Sequence, residues 1–556
     1  MDQATDQHLP GKTPVPAPAP ASRYPEGLRA LFSAFAHHGR PLRGLMSTSK
    51  SPNFQGRFGR MFRSLPAGVY GKTDQESRQA LMSLGAAMTS SFDPPKDGFD
   101  GEESGIPALY TYFGQFIDHD ITFDPMTTLV QHSDPDAVTD FRTPALDLDN
   151  VYGRGPGDQP YLYESDGLRF VLGDKLDNGV PDLQRNNAVP RRALIGDPRN
   201  DENSIVSQLQ ALMLRFHNRV ADENKVLDLP SLQKIVRWHY QWVITHDFLP
   251  RIVSARVLNE LKSGSKYDQG KLKFYHWKNE PFMPVEFSVA AYRLGHSMVR
   301  PGYRLNDDDA TLLPIFPIPG TIPGAPKGGI SPGLTGFEEM AKNRGIDWGR
   351  FVDIGAPRAY GGDPDTVQPP TSDMKKRLQF AYRIDTSVVT PLSVLPSVVA
   401  SDPPPSLAQR NLLRGFELGL PTGQNVAKAM GVAPLSDEHI IIGKAVDKPA
   451  GDDVVGSIAD LKQFSMFKGN CPLWTYILAE AAQTRTPVNI PVTPATTILT
   501  PQLGDVGGRI VAEVFLGMLF GDNDSYLSAD PEWTPTLARS KGQFALRDLV
   551  AYALGQ

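Results

Sequence analysis

The sequence predicts a mainly α protein: a single large helical domain with long Pro/Gly-rich loops and little β. Three observations predict it. Apolar residues recur at spacings of three and four through much of the chain, which puts them on one face of a helix. Sustained period-two alternation, the mark of half-buried strands, is scarce. Fifty Pro and 50 Gly punctuate the 556 residues, as long ordered loops around helices do.

The elements follow in order. Residues 1–22, MDQATDQHLPGKTPVPAPAPAS, are Pro/Ala-rich and read as a disordered, polyproline-leaning tail. Residues 23–556 read as one domain, with helical periodicity from about residue 76. Ile106, Leu109, Tyr112, Phe113, Phe116 and Ile117 mark a helix with one buried face. Ile205, Leu209, Leu212, Met213, Phe216 and Val220 mark a second, with Asp201, Asn203 or Ser204 as its cap. Further helical patterns run through PVEFSVAAYRLGHSMV (284–299), SLAQRNLLRGFEL (406–418) and GGRIVAEVFLGMLFG (507–521). Two Pro/Gly-rich passages, 301–335 and about 355–373, interrupt them without a shift sharp enough to divide the domain.

Composition excludes several classes. A net charge of −6 and scattered basic residues give no electrostatic footprint for nucleic acid. The single cysteine, Cys471, permits no intramolecular disulfide, thiolate cage or CxxCH attachment, and reads as a small buried hydrophobe. No apolar run is long enough to span a bilayer. The start lacks a basic patch followed by an apolar core, so no secretory signal is expected there. These features point to a soluble protein of a reducing compartment: cytoplasmic, or exported by a route the sequence does not display.

The chemistry starts at YTYFGQFIDHDITFDP (110–125), where an apolar segment carries Gln115, Asp118, His119 and Asp120. Buried charge is costly unless paired or metal-bound. On a helix Gln115, Asp118 and His119 stand at i, i+3 and i+4 and share a face. A histidine so flanked can ligate a metal, act as general acid/base, or be a satisfied core residue. RTPALDLDNVYG (142–153) offers Thr143, Asp147 and Asp149 as hard oxygens suited to Ca²⁺, with Asp120 as a further carboxylate; the plain alternative is a turn. IGDPRNDENS (195–204) puts Arg199 and Glu202 at a helix start, where a capping arrangement is equally open. YRLGHSM (292–298) places Arg293 and His296 on one helical face, and RNLLRG (410–415) does so for Asn411 and Arg414. An axial haem ligand backed by an amide fits that pair of segments.

The ordered set GQFIDHD, LDLDNVYG, GDPRxxE, YRLGH and NLLRGFELGLP resembles the animal-type haem peroxidases of the peroxidase–cyclooxygenase superfamily, in register from about residue 75 to about 525. The resemblance implies a helical domain around a buried haem b. His296 would be the proximal iron ligand, with Asn411 accepting from its ring. His119 and Arg199 would be the distal catalytic pair, with Gln115 beside the peroxide. Asp118 and Glu202 match the carboxylates that form ester bonds to haem in mammalian members. The methionine that makes a third link in one mammalian subgroup is replaced by Asn203, so no sulfonium bond is expected. Asp120, Thr143, Ala145 (through its carbonyl), Asp147 and Asp149 match the family's Ca²⁺ site. Arg293 and Arg414 would meet the haem propionates or the proximal network. The implied reaction is reduction of hydrogen peroxide with oxidation of a small donor such as halide, thiocyanate or a phenol.

One departure bears on the alternative, a fatty-acid dioxygenase. Cyclooxygenase-like members carry a radical-forming tyrosine three residues before the proximal histidine. Here that position is Arg293, and Tyr292, one place off, is expected to point elsewhere. FYHW (274–277) is too distant in sequence to substitute. A non-catalytic haem-binding adhesion module is a third reading. The remaining histidines, His217 included, read as packing or hydrogen-bonding residues.

Overall fold

Helix starts and stops follow local chemistry. The Thr73 hydroxyl accepts from the Glu76 N–H at 3.1 Å, opening α1 (Asp74–Ala87), whose Leu81 and Leu84 are buried. The fully buried strand β1 (Glu103–Pro107) pairs antiparallel with β2 (Phe380–Tyr382). Helix α2 (Leu109–Ile121) follows at once. Ile106, which fits the helical spacing, therefore belongs to the strand; Pro107 closes that strand before the helical apolar face begins. In this computed structural model the described residues are 58–556, apart from 97, 99, 123–142, 279, 310, 319–332, 356–357, 360–376, 401, 445–452 and 539–541. They belong to one compact unit. The expected tail at 1–22, its boundary at 23, and much of the two Pro/Gly-rich passages lie outside them.

Of the three candidate caps for the second helix, Asn203 takes the role. Its side chain accepts from the N–H groups of Ile205 and Val206 at 3.1 and 3.0 Å, starting α3 (Ser204–Glu223). Asp228 caps α4 (Leu229–Val243) and Ser406 caps α5 (Leu407–Glu417). They are joined by α6 (Gly423–Met430), α7 (Leu473–Gln483), α8 (Asp505–Gly521) and α9 (Leu546–Leu554). α8 is buried continuously from Val506 to Leu519, as expected of a helix that is apolar all round. Its Glu513 accepts from the N–H groups of Lys273, Phe274 and Tyr275 at 2.7–3.0 Å, which ties FYHW to the core. α1 packs on α5, α2 and α9 on α3, and α7 on α8.

Two segments differ from expectation. Within 284–299 the helical part, 286–296, is not α: a π turn, Glu286–Ala290, leads into a 3₁₀ segment, Ala291–His296, with Ala290 leaving helical geometry at φ −126°, ψ −71°. The buried Glu286 carboxylate holds the turn by accepting from the N–H groups of Met61 and Phe62 at 3.1 Å. At three residues per turn Arg293 and His296 eclipse one another. The second difference is a hairpin, β3 (Arg485–Ile490) with β4 (Thr496–Pro501). In β4, Ile498 and Thr500 are buried while Thr497 and Leu499 are exposed, a period-two signal that flanking prolines obscure in the sequence. Cys471 is buried and free, and among the described residues no helix is long and apolar enough to cross a membrane.

His217 behaves as expected of a structural histidine. Its Nε2 donates to the Leu168 carbonyl at 2.7 Å and its Nδ1 accepts from the Tyr152 hydroxyl at 3.0 Å. Burial pulls its pKa from an ordinary 6.5 to about 4. Between those values the unfolded chain takes up a proton that the folded chain does not. Its contribution to stability is therefore complete above pH 6.5 and falls as pH drops through the window, by at most about 1.4 kcal/mol per pH unit. Denaturant midpoints measured from pH 7 to 4.5 should fall, and less steeply in His217→Gln; identical slopes would remove His217 from the account.

Candidate functional site

Gln115, Asp118 and His119 come from one face of α2 and line a single cavity of ≈ 320 Å³, as their i, i+3, i+4 spacing predicts. Arg199, Glu202 and Asn203 reach it from the turn before α3, and Tyr292, Arg293 and His296 from the 3₁₀ segment. Met298, Val299, Ile315, Phe316, Leu392 and Leu395 supply apolar wall. Asp120, next to His119 in the chain, faces the other side of α2.

The buried His119 has its Nδ1 2.7 Å from Asn200 Oδ1. Burial, then the Arg199 charge, lowers its pKa to about 4, which leaves the imidazole neutral at pH 7. Arg199 is oriented by Asp197, buried at the root of the same turn: its Nη2 donates to Asp197 at 2.7 Å, to the His119 carbonyl at 3.0 Å and to the Thr122 carbonyl at 2.6 Å. This turn can lie flush against residues 149–150 because position 196 is glycine. A Cβ there would sit 2.5 Å from the Asn150 carbonyl oxygen, inside contact distance.

Gln115 donates to Glu202 and accepts from Asn203 Nδ2 at 3.3 Å. Burial pushes the Glu202 carboxyl up to about 7, partly opposed by Arg199. Asp118 accepts from the Thr122 hydroxyl at 3.1 Å. On the other wall, burial and then Arg293 lower the His296 pKa to about 3. Its Nδ1 lies 2.7 Å from the Asn411 side chain. There the structure departs from expectation: the amide nitrogen, not its oxygen, faces the ring, and acceptance from Nδ1–H requires the amide turned by 180°.

One addition and one correction concern the cavity. Arg410, one turn before Arg414 on α5, lines it, with Nη1 donating to the carbonyls of Asp402 and Pro404. Tyr292, expected to point elsewhere, lines the cavity and donates to the Gly114 carbonyl at 3.1 Å, because the segment is 3₁₀ rather than α. Arg293 lines the wall, its Nε donating to the Ser288 carbonyl at 2.9 Å.

Behind α2, carboxylate oxygens of Asp120, Asp147 and Asp149 lie within 4.8 Å of one another. Asp120 is fully buried; its Oδ2 accepts from the Tyr240 hydroxyl at 3.1 Å and its Oδ1 has no hydrogen-bond partner. Burial and then the two neighbouring carboxylates hold its pKa well above the usual range. Leu148, between the other two, takes a left-handed φ of 61°, rare for a non-glycine residue and tolerated where packing over-determines it. Thr143 and Ala145 lie on the same loop, where the Thr143 carbonyl accepts from the Ala145 N–H at 2.7 Å. Asp197, Asn200 and Arg410 were not singled out as site residues from the sequence; the first two sit inside the IGDPRNDENS motif, but their partners are remote in sequence.

The family model described as animal haem peroxidase matches residues 129–315, a stretch that includes Asp147, Asp149, Arg199, Glu202 and His296. Thyroid peroxidase of Rattus norvegicus is 29% identical over 199 residues, 31% of this chain and 21% of that protein. Chorion peroxidase of Drosophila melanogaster is 28% identical over 132 residues, 22% of this chain and 16% of that protein. The chain thus spans about a fifth of the length of these relatives. Among solved structures, peroxidase A from Dictyostelium discoideum superposes with a TM-score of 0.54 at 14% identity, covering 90% of this chain and 96% of that one. A fatty acid alpha-dioxygenase from Arabidopsis thaliana gives 0.52 at 13% identity, covering 88% and 76%. At such identities these likenesses establish the helical fold.

Asp197 is the test of this geometry. Asp197→Ala leaves a half-buried guanidinium without its carboxylate and is expected to cost about 2–4 kcal/mol in urea denaturation, toward the lower end for breaking a buried pair. A change below 0.5 kcal/mol, the scale of an ordinary surface substitution, would show that Asp197 does not anchor Arg199.

Proposed function

We propose that the chain, matched over residues 129–315 by the animal haem peroxidase family model, is an oxidoreductase that reduces hydrogen peroxide and oxidises a small donor at the cavity between α2 and the 291–296 segment. The observation that carries this reading is that two neutral imidazoles, His119 and His296, 177 residues apart in the chain, line one cavity together with Arg199. The donor set fits haem: an uncharged imidazole nitrogen for iron at His296 with an amide on its other nitrogen, and the carboxyls of Asp118 and Glu202 on the cavity wall. A haem held here would supply the two-electron redox chemistry that links peroxide reduction to oxidation of the donor. His119 removes a proton from the near peroxide oxygen and returns it to the far one, which leaves as water. Arg199, held by Asp197, places a permanent cation beside the charge that develops as the O–O bond breaks. Gln115 fixes Glu202 and offers an amide beside the peroxide.

Asp118 and Glu202 are proposed as ester links to the haem; joining a carboxyl oxygen to a haem methyl carbon would replace a C–H bond in a two-electron oxidation, for which hydrogen peroxide, reduced to water, would be the oxidant. Asp120, Asp147 and Asp149, with oxygens from Thr143 and Ala145, are proposed to hold Ca²⁺. Three clustered carboxylates, one fully buried with an unpartnered oxygen, are better explained by a divalent cation than by mutual repulsion. Residues 23–556 are proposed as one catalytic domain.

Protein produced with haem should show a Soret band that stays with the polypeptide after acid–acetone extraction; haem in the organic phase would end the ester proposal. His296→Ala should abolish the band. His119→Ala should keep it and lower the rate of reaction with peroxide by about 10²–10⁴-fold, the worth of a positioned proton acceptor; an unchanged rate would overturn the catalytic reading. Excess EGTA should lower the melting temperature, removing about 3 kcal/mol if the ion is held at 100 times its Kd, with recovery on adding Ca²⁺. No change would leave the carboxylates without their ion. A second reading, a fatty-acid dioxygenase, is favoured by one observation: the Tyr292 hydroxyl at the cavity wall beside an apolar surface. Oxygen uptake on an unsaturated fatty acid that is lost in Tyr292→Phe would select it.

A further inference from the structure

His119 can take up a proton only at the ring nitrogen that faces the cavity, so the proton it already carries must sit on the other. Nothing in an isolated imidazole selects between the two, and an asparagine beside Nδ1 does not settle it either. An amide presents an acceptor on one edge and a donor on the other, and rotation by 180° exchanges them. What stands behind Asn200 decides.

Asn200 Nδ2 donates to Gln210 Oε1 at 2.8 Å. Gln210 Nε2 in turn points at the backbone carbonyl of Asn150, 3.4 Å away. A backbone carbonyl accepts and never donates. It therefore fixes the nitrogen edge of Gln210, which presents Oε1 to Asn200, which presents Oδ1 to His119. Turning either amide would set two carbonyl oxygens against each other in a buried site: Asn200 and Gln210 are both fully buried, where an unmet polar group is costly. The Asn150 anchor is itself held, because its side chain donates to the Phe116 carbonyl on α2 at 3.2 Å and Gly196 lets the arginine-bearing turn close over it.

We infer that Asn200 and Gln210 form a two-amide relay, anchored on the Asn150 carbonyl, that holds His119 in the Nδ1–H tautomer with its Nε2 lone pair free. Neither Asn200 nor Gln210 lines the cavity; Gln210 is a positioning residue, acting on His119 through Asn200. The inference rests on the proposed role of His119 as proton acceptor, and the same relay would be a mere packing feature without that role.

The experiment uses the haem-loaded full chain and two readouts: the rate of reaction with hydrogen peroxide, and the infrared stretch of carbon monoxide bound to the reduced protein, which senses whether an N–H or a lone pair faces it. Gln210→Leu removes the directional anchor; the amide of Asn200 is then free to turn and the Nε2–H form to populate. The peroxide rate should fall by about 10²-fold, within the range a positioned base supplies, and the stretch should move to lower wavenumber with the Soret band retained. Asn200→Asp in the Gln210→Leu background should restore both, since a carboxylate can only accept from Nδ1–H and needs no relay; a purely structural role for Gln210 would not be repaired this way. Should Gln210→Leu not fold, Gln210→Glu takes its place: its protonated form reproduces the acceptor and the donor of glutamine and should leave both readouts unchanged below neutral pH. The inference is overturned if Gln210→Leu folds with unaltered rate and stretch, if Asn200→Asp fails to restore the double variant, or if Gln210→Glu folds and behaves as a loss. Loss of the peroxide reaction in His119→Ala alongside an unaffected Gln210→Leu removes the relay alone; an unaffected His119→Ala removes the functional reading beneath it.

Discussion

Helix α2 has to bury polar groups on both of its sides, and the rest of the site is arranged to make that tolerable. Asp118 and Asp120 are separated only by His119, yet one lines the cavity and the other is sealed against the 143–149 loop. A helix turns each successive residue by about 100°, so consecutive titratable groups cannot share an environment. Each needs its own partners. Thr122 and the cavity serve Asp118, Asn200 serves His119, and Tyr240 with the loop carboxylates surrounds Asp120.

The turn between residues 196 and 203 meets most of those demands at once. Within eight residues it delivers a glycine that permits close approach, the carboxylate that orients Arg199, the amide that meets His119, the carboxyl that meets Gln115, and the cap of α3. Because α3 is one of the longest buried helices among the described residues, its start is held firmly. Loosening this turn would disturb the proposed distal pair and the entry of α3 together. The proposed cation cage lies against the same region through Asn150, so its effect on the cavity need not pass through Asp120 alone.

The opposite wall is built differently. His296 sits at the end of a 3₁₀ segment that follows a π turn, the kind of irregularity that concentrates at functional positions. That geometry aligns Arg293 with His296 and also swings Tyr292 into the cavity, an outcome that α-helical spacing does not produce. The two candidate chemistries, peroxidase and dioxygenase, thus differ in the use made of one hydroxyl that hydrogen-bonds to α2.

Much was legible in the chain itself. Apolar spacing located the helices around 109–121, 204–223, 407–417 and 505–521, because a helix that packs on one side must repeat its apolar residues every three or four. The same periodicity grouped Gln115, Asp118 and His119, and the resemblance singled out His119, Arg199 and His296, which the fold does bring to one cavity. What it left undecided depended on contacts between distant segments. Three residues competed to cap α3 until packing chose Asn203. Arg410 reaches the cavity because of how α5 is rotated, and Tyr292 enters it because a buried carboxylate, Glu286, anchors a non-α turn. The direction of an amide, as at Asn200 and Asn411, is set by whichever donor or acceptor lies behind it, and that neighbour comes from another part of the chain. Local spacing determines which side chains share a face; only the assembled core determines what each face meets.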